Sequence, residues 1–322
     1  MNRLCAILIT CWLLVHVPAI DAAESKQPHR ASSLKITVLS TMLADEGIGE
    51  WGYAALLEAD GKRILFDTGA RPETVLSNAR ELNVDLSTVE DVVLSHSHDD
   101  HTGGLVTLRR ELMKLNPRAI SRAHVGDGIF LERSPNGKNW NGLQPYRAEY
   151  EKLGGSFVVH GKTRELVPGV WITGPVPRTH PEKNYPKGVR IKLINGDTED
   201  TVPEDSSLVI DTAQGLVILS GCGHAGIINT VEYARQMVEA VPILAVVGGL
   251  HTFDASDQTL AWTAQKLKAV GLRYLLAGHC TGIEATFRLR QLAGLSRKTA
   301  VVSAVGSSFT LGSGIDPLTL AQ

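Results

Sequence analysis

Ten consecutive residues constrain the fold of this chain more than any other feature. Positions 95–104 read SHSHDDHTGG and directly follow a short apolar run that is typical of a buried strand. Alternate side chains of an extended segment share one face, so His96 and His98 can point the same way and bind one metal ion. Asp100 and His101 fall where the chain turns into a predicted helix and can reach a second ion. Imidazole and carboxylate groups together at a strand end are typical of a zinc or iron site.

Three further histidines occupy the same kind of position, after an apolar strand and among glycines. His224 lies in the sequence SGCGHAG, His251 in GGLH and His279 in GHCTG. Open α/β sheets collect their functional residues at the carboxyl ends of strands, so we expect the six histidines to meet at one site. So many candidate ligands favour an open catalytic centre over a closed structural zinc site, which needs four.

The order of apolar and amphipathic segments predicts a layered α/β domain. Strand-like runs occur at 35–39, 52–57, 63–66, 91–94, 207–210, 216–219, 243–247, 274–277 and 299–302, and helical runs at 72–82, 102–115, 227–240, 256–269 and 282–292. This order before about residue 118 loosely recurs after about residue 205, as in a duplicated β-sandwich with outer helices. Gly, Asn and polar residues predict an irregular insertion around 134–155. We expect residues 24–322 to form a single domain.

The first 23 residues predict a secretory signal peptide. They combine a basic start at Arg3, an apolar run over 4–15 and small residues ending at Ala23. That run is too short to span a bilayer comfortably, and a retained membrane anchor is the alternative. We therefore expect an exported protein, periplasmic or secreted, with no stable membrane insertion after cleavage.

Composition and charge exclude several classes of protein. The 322 residues are 43% hydrophobic and 20% charged, with 32 Lys and Arg against 34 Asp and Glu and a net charge of -2. Such a chain is neither disordered nor fibrous, and without a long basic block it lacks the electrostatic footprint of a nucleic-acid binder. We expect a small molecule as its substrate, and the sequence carries no signal for an oligomeric state.

Signal cleavage would leave Cys222 and Cys280 as the two cysteines of the mature chain. Two cysteines are too few for a disulfide framework, and a chain of this size can rely on its own core. Buried apolar packing, a place in the site and a single disulfide all stay open.

The motifs resemble those of the metallo-β-lactamase superfamily. The match rests on HxHxDH at 96–101, preceded by LFDTG at 65–69. SGCGHAG, GGLH and GHCTG resemble more narrowly a branch of metal-dependent hydrolases related to the dihydropterin ribofuranosyl-aminobenzene phosphate synthases. The resemblance covers nearly all of the mature chain. It implies a four-layer αββα sandwich with a mono- or binuclear metal site.

The resemblance also implies metal ligands divided between two ions: His96 and His98 for one, Asp100, His101 and His279 for the other, with His224 completing the set. The chain departs from the wider superfamily at two points. Cys222 stands where a bridging Asp is expected, and no GHTxG-type segment supplies a third histidine between the two halves. His180 is a poor substitute for that histidine.

Four residues beside these ligands receive supporting roles. By resemblance, Asp67 orients a metal-binding histidine, and a simple turn-forming role is the alternative. Cys222 and Cys280 are expected beside the histidines, near the metal or the substrate, with thiolate ligation as the alternative. His251 can exchange a proton near neutral pH or contact substrate, so we assign catalytic roles to His251 and Asp100.

Two residues further from the motifs, His124 and Arg178, are secondary candidates. His124 ends a strand-like run, and Arg178 could clamp an anionic substrate group. Surface roles are the alternative for both.

This ligand set predicts a hydrolase that uses a metal-bound hydroxide. Zn²⁺, as one or two ions, with Mn²⁺ or Fe²⁺ as alternatives, lowers the pKa of bound water from about 16 to about 7 and polarises the bond under attack. An ester, amide, lactam or phosphoester of a small molecule would suit this chemistry. The alternatives are a pterin-related synthase or transferase of the same fold and a non-catalytic, metal-stabilised binding protein. A β-lactamase is disfavoured, because the third-histidine segment and the bridging Asp are missing.

Overall fold

The structure is a computed structural model that describes residues 29–134 and 139–320. The strands in these ranges are β1 Leu34–Ser40, β2 Ala54–Ala59, β3 Lys62–Phe66, β4 Asp91–Leu94, β5 Arg122–Gly126, β6 Ser156–His160, β7 Arg164–Val167, β8 Val170–Ile172, β9 Arg190–Leu193, β10 Gly196–Glu199, β11 Leu208–Thr212, β12 Gly215–Ser220, β13 Ile243–Gly248, β14 Tyr274–Ala277, β15 Ala300–Val302, β16 Ser308–Thr310 and β17 Gly314–Asp316. The helices are α1 Thr74–Glu81, α2 Asp99–Thr102, α3 Leu105–Leu112, α4 Gln144–Lys152, α5 Ile227–Met237, α6 Asp257–Ala269 and α7 Ile283–Ala293, with a 3₁₀ turn at His279–Thr281.

Two of the sequence predictions fall partly or wholly outside these ranges. The predicted signal peptide, residues 1–23, lies outside the described residues, and so do positions 135–138 of the predicted insertion. Among the helices that the structure describes, none combines the length and the apolar character that a bilayer crossing requires.

Two large sheets form the centre of the molecule. The first has the strand order β17-β16-β1-β2-β3-β4-β5-β6, the second β15-β14-β13-β12-β11-β8-β7, and β9 and β10 form a separate hairpin. Strands β3 to β6 are parallel in the first sheet, and β12 to β15 are parallel in the second. Strands β12 and β13 are buried at every position, as expected for parallel strands covered on both faces.

The apolar side chains separate into three cores, which define four layers. Alternate residues of a strand point to opposite faces, so Val217 lies in the core between the sheets while Ile218 packs against helices. Helices α1, α3 and α4 cover the outer face of the first sheet, and α5, α6 and α7 cover that of the second. The predicted α/β fold with αββα layers is confirmed.

In place of one helix at 102–115, the structure has the short helix α2, which ends at residue 102, and the helix α3 at 105–112. The break falls at Gly103 and Gly104, which press against the turn that follows β3. A Cβ atom would lie 1.9 Å from the carbonyl oxygen of Ala70 at Gly103, and 2.3 Å from that of Thr68 at Gly104. Both positions therefore require glycine, and this contact holds the HxHxDH segment against the LFDTG turn.

The prediction of an irregular segment around 134–155 is corrected for residues 144–152, which form helix α4. Tyr150 of this helix is fully buried and donates a hydrogen bond to the carbonyl oxygen of Ile120 at 2.9 Å. It is the one buried residue of α4, so the helix lacks the apolar stripe that makes a helix recognisable in a sequence.

Candidate metal centre

Five strand ends bring predicted site residues to one edge of the molecule. Asp67 follows β3, His96 follows β4, His224 follows β12, His251 follows β13 and His279 follows β14. Because β3 and β4 are parallel, as are β12 to β14, these carboxyl ends open on the same side of each sheet. The structure thus brings the six histidines proposed from the sequence into one cluster.

His96, His98 and His224 form one set of possible metal ligands. One ring nitrogen of each lies within 4.8 Å of the other two, and the Nε2 atoms of His96 and His224 are 3.2 Å apart. Burial lowers the pKa of His98 to about 3 and holds those of His96 and His224 well below their usual range, with neighbouring histidines adding to the effect. The rings are therefore neutral at pH 7, which is the form that binds metal.

Asp100, His101 and His279 form a second set beside the first. The Nε2 atom of His279 lies 3.2 Å from Nε2 of His101 and 3.3 Å from Oδ2 of Asp100. Burial raises the pKa of Asp100, but His101 and His279 outweigh it and hold the pKa below its usual range. The carboxylate is therefore ionised and suited to a cation.

Cys222 lies between the two sets. Its Sγ is 3.1 Å from Nε2 of His101, and it also groups with His96, with His224 and with His279 at distances that one metal ion could span. Cys222 thus stands at the position where the superfamily resemblance predicts a bridging Asp. His224, two residues further along, completes the first set in place of the missing third-histidine segment.

Buried hydrogen bonds orient the outer nitrogen of three of these rings. Asp67 is fully buried and accepts hydrogen bonds from the backbone N–H of Ser95 and from Nδ1 of His101, each at 2.7 Å. Nδ1 of His96 lies 2.9 Å from Oγ of Ser95, and Nδ1 of His224 donates to the carbonyl oxygen of Asn184. These contacts leave each Nε2 facing the cluster. They support the orienting role expected of Asp67.

The donor set fits a divalent transition metal. In two places, His96 with His224 and His101 with His279, Nε2 atoms face each other at 3.2 Å. In the first pair both rings are neutral and both carry their proton on Nδ1. Nδ1 of His96 donates to Oγ of Ser95, whose own proton goes to Asp67, and Nδ1 of His224 donates to Asn184, so each Nε2 offers only a lone pair. Lone pairs aimed at one another in a buried site are stabilised by a cation between them. Imidazole, carboxylate and thiolate groups together favour zinc or iron.

The remaining predicted residues are placed around this cluster. Cys280 lies 3.2 Å from Cys222, measured between the sulfur atoms. His251 is partly exposed, its ring centroid lies 4.5 Å from that of His224, and contact with Cys280 raises its pKa although burial acts against this. His124 instead bonds His160 and Asp91. Arg178 donates a hydrogen bond to the carbonyl oxygen of Val202. His180 contacts the carboxylate of Glu232.

A buried ion-pair network beneath the HxHxDH loop escaped the sequence analysis. Arg133 is fully buried between Asp200, at 2.8 Å, and Glu204, at 2.5 Å. The other oxygen of Glu204 accepts the backbone N–H of Ser97, the residue between His96 and His98, at 3.2 Å. The network therefore supports the loop that carries two of the proposed ligands.

A cavity of about 1240 Å³ opens above the cluster. Trp51, Trp140 and Phe253 line it and are each about half exposed. The ring of Trp51 lies 5.0 Å from that of His279, and the ring of Trp140 lies 6.0 Å from that of His98. Such exposed aromatic side chains beside polar groups are typical of a ligand pocket.

The layers and the site define a protein with an αββα fold and a candidate metal centre at the strand ends. Residues 52–279 match the family model described as the metallo-beta-lactamase superfamily, and the chain belongs to this superfamily. The membership inferred from the motifs is thereby confirmed.

Individual relatives match most of the chain. It is 31% identical over 272 residues to the 7,8-dihydropterin-6-methyl-4-(beta-D-ribofuranosyl)-aminobenzene-5'-phosphate synthase of Methanocaldococcus jannaschii, which covers 80% of this chain and 90% of that protein. An uncharacterised protein of the same organism is 30% identical over 247 residues, with 75% and 88% covered. A solved structure described as a metal-dependent hydrolase of the beta-lactamase superfamily superimposes with a TM-score of 0.69 at 24% identity, covering 85% of this chain and 98% of that one. The narrower resemblance to the dihydropterin-related branch thus finds a named relative.

Proposed function

We propose that this protein is a metal-dependent hydrolase of a small-molecule ester, amide or phosphoester. The observation that carries the proposal is the pair of adjacent ligand sets, joined by Cys222, at the floor of an open cavity. A closed structural site needs four ligands and no access, whereas this cluster offers more donors and faces a pocket.

His96, His98 and His224 would hold one ion, and Asp100, His101 and His279 a second. Zinc, with iron or manganese as alternatives, is the metal class that we propose. When bound, such an ion makes a coordinated water acidic and polarises the bond under attack.

The surrounding side chains would bind and orient the substrate. Trp51, Trp140 and Phe253 offer faces against which a planar ring can pack. Lys183 and Lys187 at the rim carry charges suited to an anionic group. His251 lines the cavity beside His224 and would exchange a proton with the reacting molecule, and Asp100 would share this role through its ionised carboxylate.

A second candidate is a synthase or transferase that acts on a pterin-like compound. The 31% identical relative carries that kind of name, and three of the five tryptophans of the chain line the cavity. Both candidates use the same ligand sets and the same aromatic walls, so they differ in the reaction and not in the site.

One assay separates the two candidates. Zinc-loaded protein is incubated with ester, amide and phosphodiester reporters. In parallel it is incubated with an aryl ribofuranoside phosphate and a reduced pterin whose methyl carbon carries a phosphate-ester leaving group, and the products, including the released leaving group, are identified by mass spectrometry. Release of two fragments by addition of water supports the hydrolase. A product that joins the two offered compounds supports the synthase and overturns the hydrolase.

The third candidate, a metal-stabilised binding protein, is tested by the variant His98→Ala. A catalytic centre predicts that turnover falls while the circular dichroism spectrum and melting temperature stay near wild type. A structural centre predicts loss of folding with loss of metal.

We also propose that the protein is exported and acts on a small molecule outside the cytoplasm. The proposal rests on the signal-like composition of residues 1–23. N-terminal sequencing of protein produced in its native host tests it. A mature chain that begins near residue 24 supports export, and an intact Met1 contradicts it.

A further inference from the structure

We propose that Cys222 and Cys280 both supply sulfur ligands, so that one position of the metal centre is a thiolate-rich site for a borderline-soft metal such as zinc or iron. The inference rests on the proposed function, because it presupposes that the cluster binds metal. It assigns to Cys280 a role that the superfamily resemblance leaves open.

The two sulfur atoms lie against the second ligand set. They are 3.2 Å apart, and Sγ of Cys222 is 3.1 Å from Nε2 of His101. One ligand atom from each of Cys222, His279 and Cys280 lies within 4.8 Å of the other two, which is a spacing that a single ion can span. Both cysteines are almost fully buried in their own right, yet both line the cavity above the cluster.

The two sulfur atoms can lie this close together only because a glycine stands beside Cys280. A Cβ atom at Gly249 would lie 2.8 Å from Sγ of Cys280 and 2.2 Å from the carbonyl oxygen of Gly221, so glycine is required there. His279, the residue before Cys280, has a φ of 48°, a left-handed conformation that an L-residue rarely adopts. Close packing around Gly249 thus places Cys280 beside Cys222, and the surrounding structure keeps His279 in its left-handed conformation.

The nature of the neighbours argues against a purely apolar role for these thiols. A buried cysteine that only fills space has apolar neighbours, whereas Cys222 faces the imidazole of His101 and the sulfur of Cys280. The Nδ1 atom of His279 is buried without a hydrogen-bond partner among the described residues, which adds an unsatisfied donor or acceptor at the same place. Thiolates select zinc, iron and cobalt over manganese, magnesium and calcium.

X-ray absorption spectroscopy of the zinc-loaded protein tests the inference directly. Zinc lies about 2.3 Å from a thiolate sulfur and about 2.0–2.1 Å from an imidazole nitrogen, so a sulfur shell is resolved from the nitrogen shell. We expect sulfur scattering in the wild type, weaker scattering in Cys222→Ser and in Cys280→Ser, and none in the double variant. Ser303→Ala, close to Gly278 but outside the cluster, is the matched control and should keep the full sulfur shell.

A second measurement needs no variant, in case one of them fails to fold. Cobalt-loaded wild type should show sulfur-to-cobalt charge-transfer absorption in the near ultraviolet. Bound cobalt without this absorption overturns the inference.

The outcomes separate this inference from the proposed function. Bound metal without sulfur scattering overturns the inference and leaves the proposed function standing. A sulfur shell that Cys280→Ser leaves unchanged overturns the role of Cys280. Protein that binds no metal after reconstitution overturns the proposed function as well.

Discussion

Replacing Asp67 with Asn is expected to weaken metal binding sharply while leaving the fold intact. Asp67 holds His101 through a 2.7 Å hydrogen bond to Nδ1, and the same carboxylate oxygen accepts the hydroxyl of Ser95 at 2.7 Å. An Asn whose oxygen accepts the backbone N–H of Ser95 would place its NH2 group against His101, so it would donate there instead of accepting. His101 would then accept at Nδ1 and carry its proton on Nε2, the atom that must bind metal.

The size of the effect follows from the environment of His101. In the metal-free site, burial lowers the pKa of His101, but Asp67 and Asp100 outweigh it and raise the pKa to about 9, so a metal ion takes the place of the Nε2 proton while Asp67 keeps the proton on Nδ1. Removal of a partner that orients a metal-binding histidine costs about 10- to 100-fold in metal affinity or activity, or about 1.4 to 2.7 kcal/mol. Asn tolerates the left-handed backbone of Asp67, whose φ is 57°, so the turn itself should survive.

A competition titration with a chromophoric zinc chelator measures the change. Asp60→Asn is the matched control, because Asp60 also has a left-handed backbone, with φ 47°, and its carboxylate accepts hydrogen bonds from Ser32 and Ser33 in the turn between β2 and β3, away from the cluster. We expect wild-type affinity in Asp60→Asn and weakened binding in Asp67→Asn, with similar melting temperatures of the apoproteins. Zinc binding in Asp67→Asn within twofold of the wild type would refute the orienting role.

Three further predictions concern the cavity, the ion-pair network and pH. Trp140→Ala should raise KM for ring-bearing substrates with little change for small acyclic esters and little loss of stability, because the side chain is 50% exposed; steady-state kinetics on both substrate types checks this. Arg133→Met leaves two buried carboxylates without their cation and should lower the free energy of unfolding by about 3–5 kcal/mol in urea titrations, and a loss below 1 kcal/mol would contradict the role of the network. Burial and the neighbouring carboxylate of Glu239 raise the pKa of Asp211 from 3.8 to about 6, against the attraction of Arg30. Ionisation of Asp211 therefore lowers the stability of the folded wild type as the pH rises from 4 to 6. The free energy of unfolding of Asp211→Asn, relative to wild type, should increase over this range and then level off. A decrease over the same range would contradict the prediction.

Local patterns in the sequence predict the layers of the fold well. The runs of β12 and β13 are continuously apolar and bounded by glycine or proline, so both can be recognised as buried strands without tertiary information. The break between α2 and α3 is not readable in the same way. Gly103 and Gly104 are required by the approach of the segment after β3, which is a contact between distant parts of the chain.

The site shows the same division between local and distant information. His96, His98 and Asp100 are close in sequence, and their spacing alone indicates a metal site. The partners of Arg133 lie 67 and 71 residues away, so no local pattern marks that residue as buried or as a support for the HxHxDH loop. The sequence alone likewise leaves the role of Cys222 and Cys280 open, because their contact depends on how β12 and β14 are placed in the sheet.

The central claim is that the two ligand sets at the strand ends form a catalytic metal centre. Its most direct test is the metal content per chain of the purified protein, measured by elemental analysis beside turnover of the reporter panel. The two adjacent ligand sets predict close to two transition-metal ions per chain, with activity that is lost on chelation and restored by zinc. Protein that holds no metal under any reconstitution would contradict the claim.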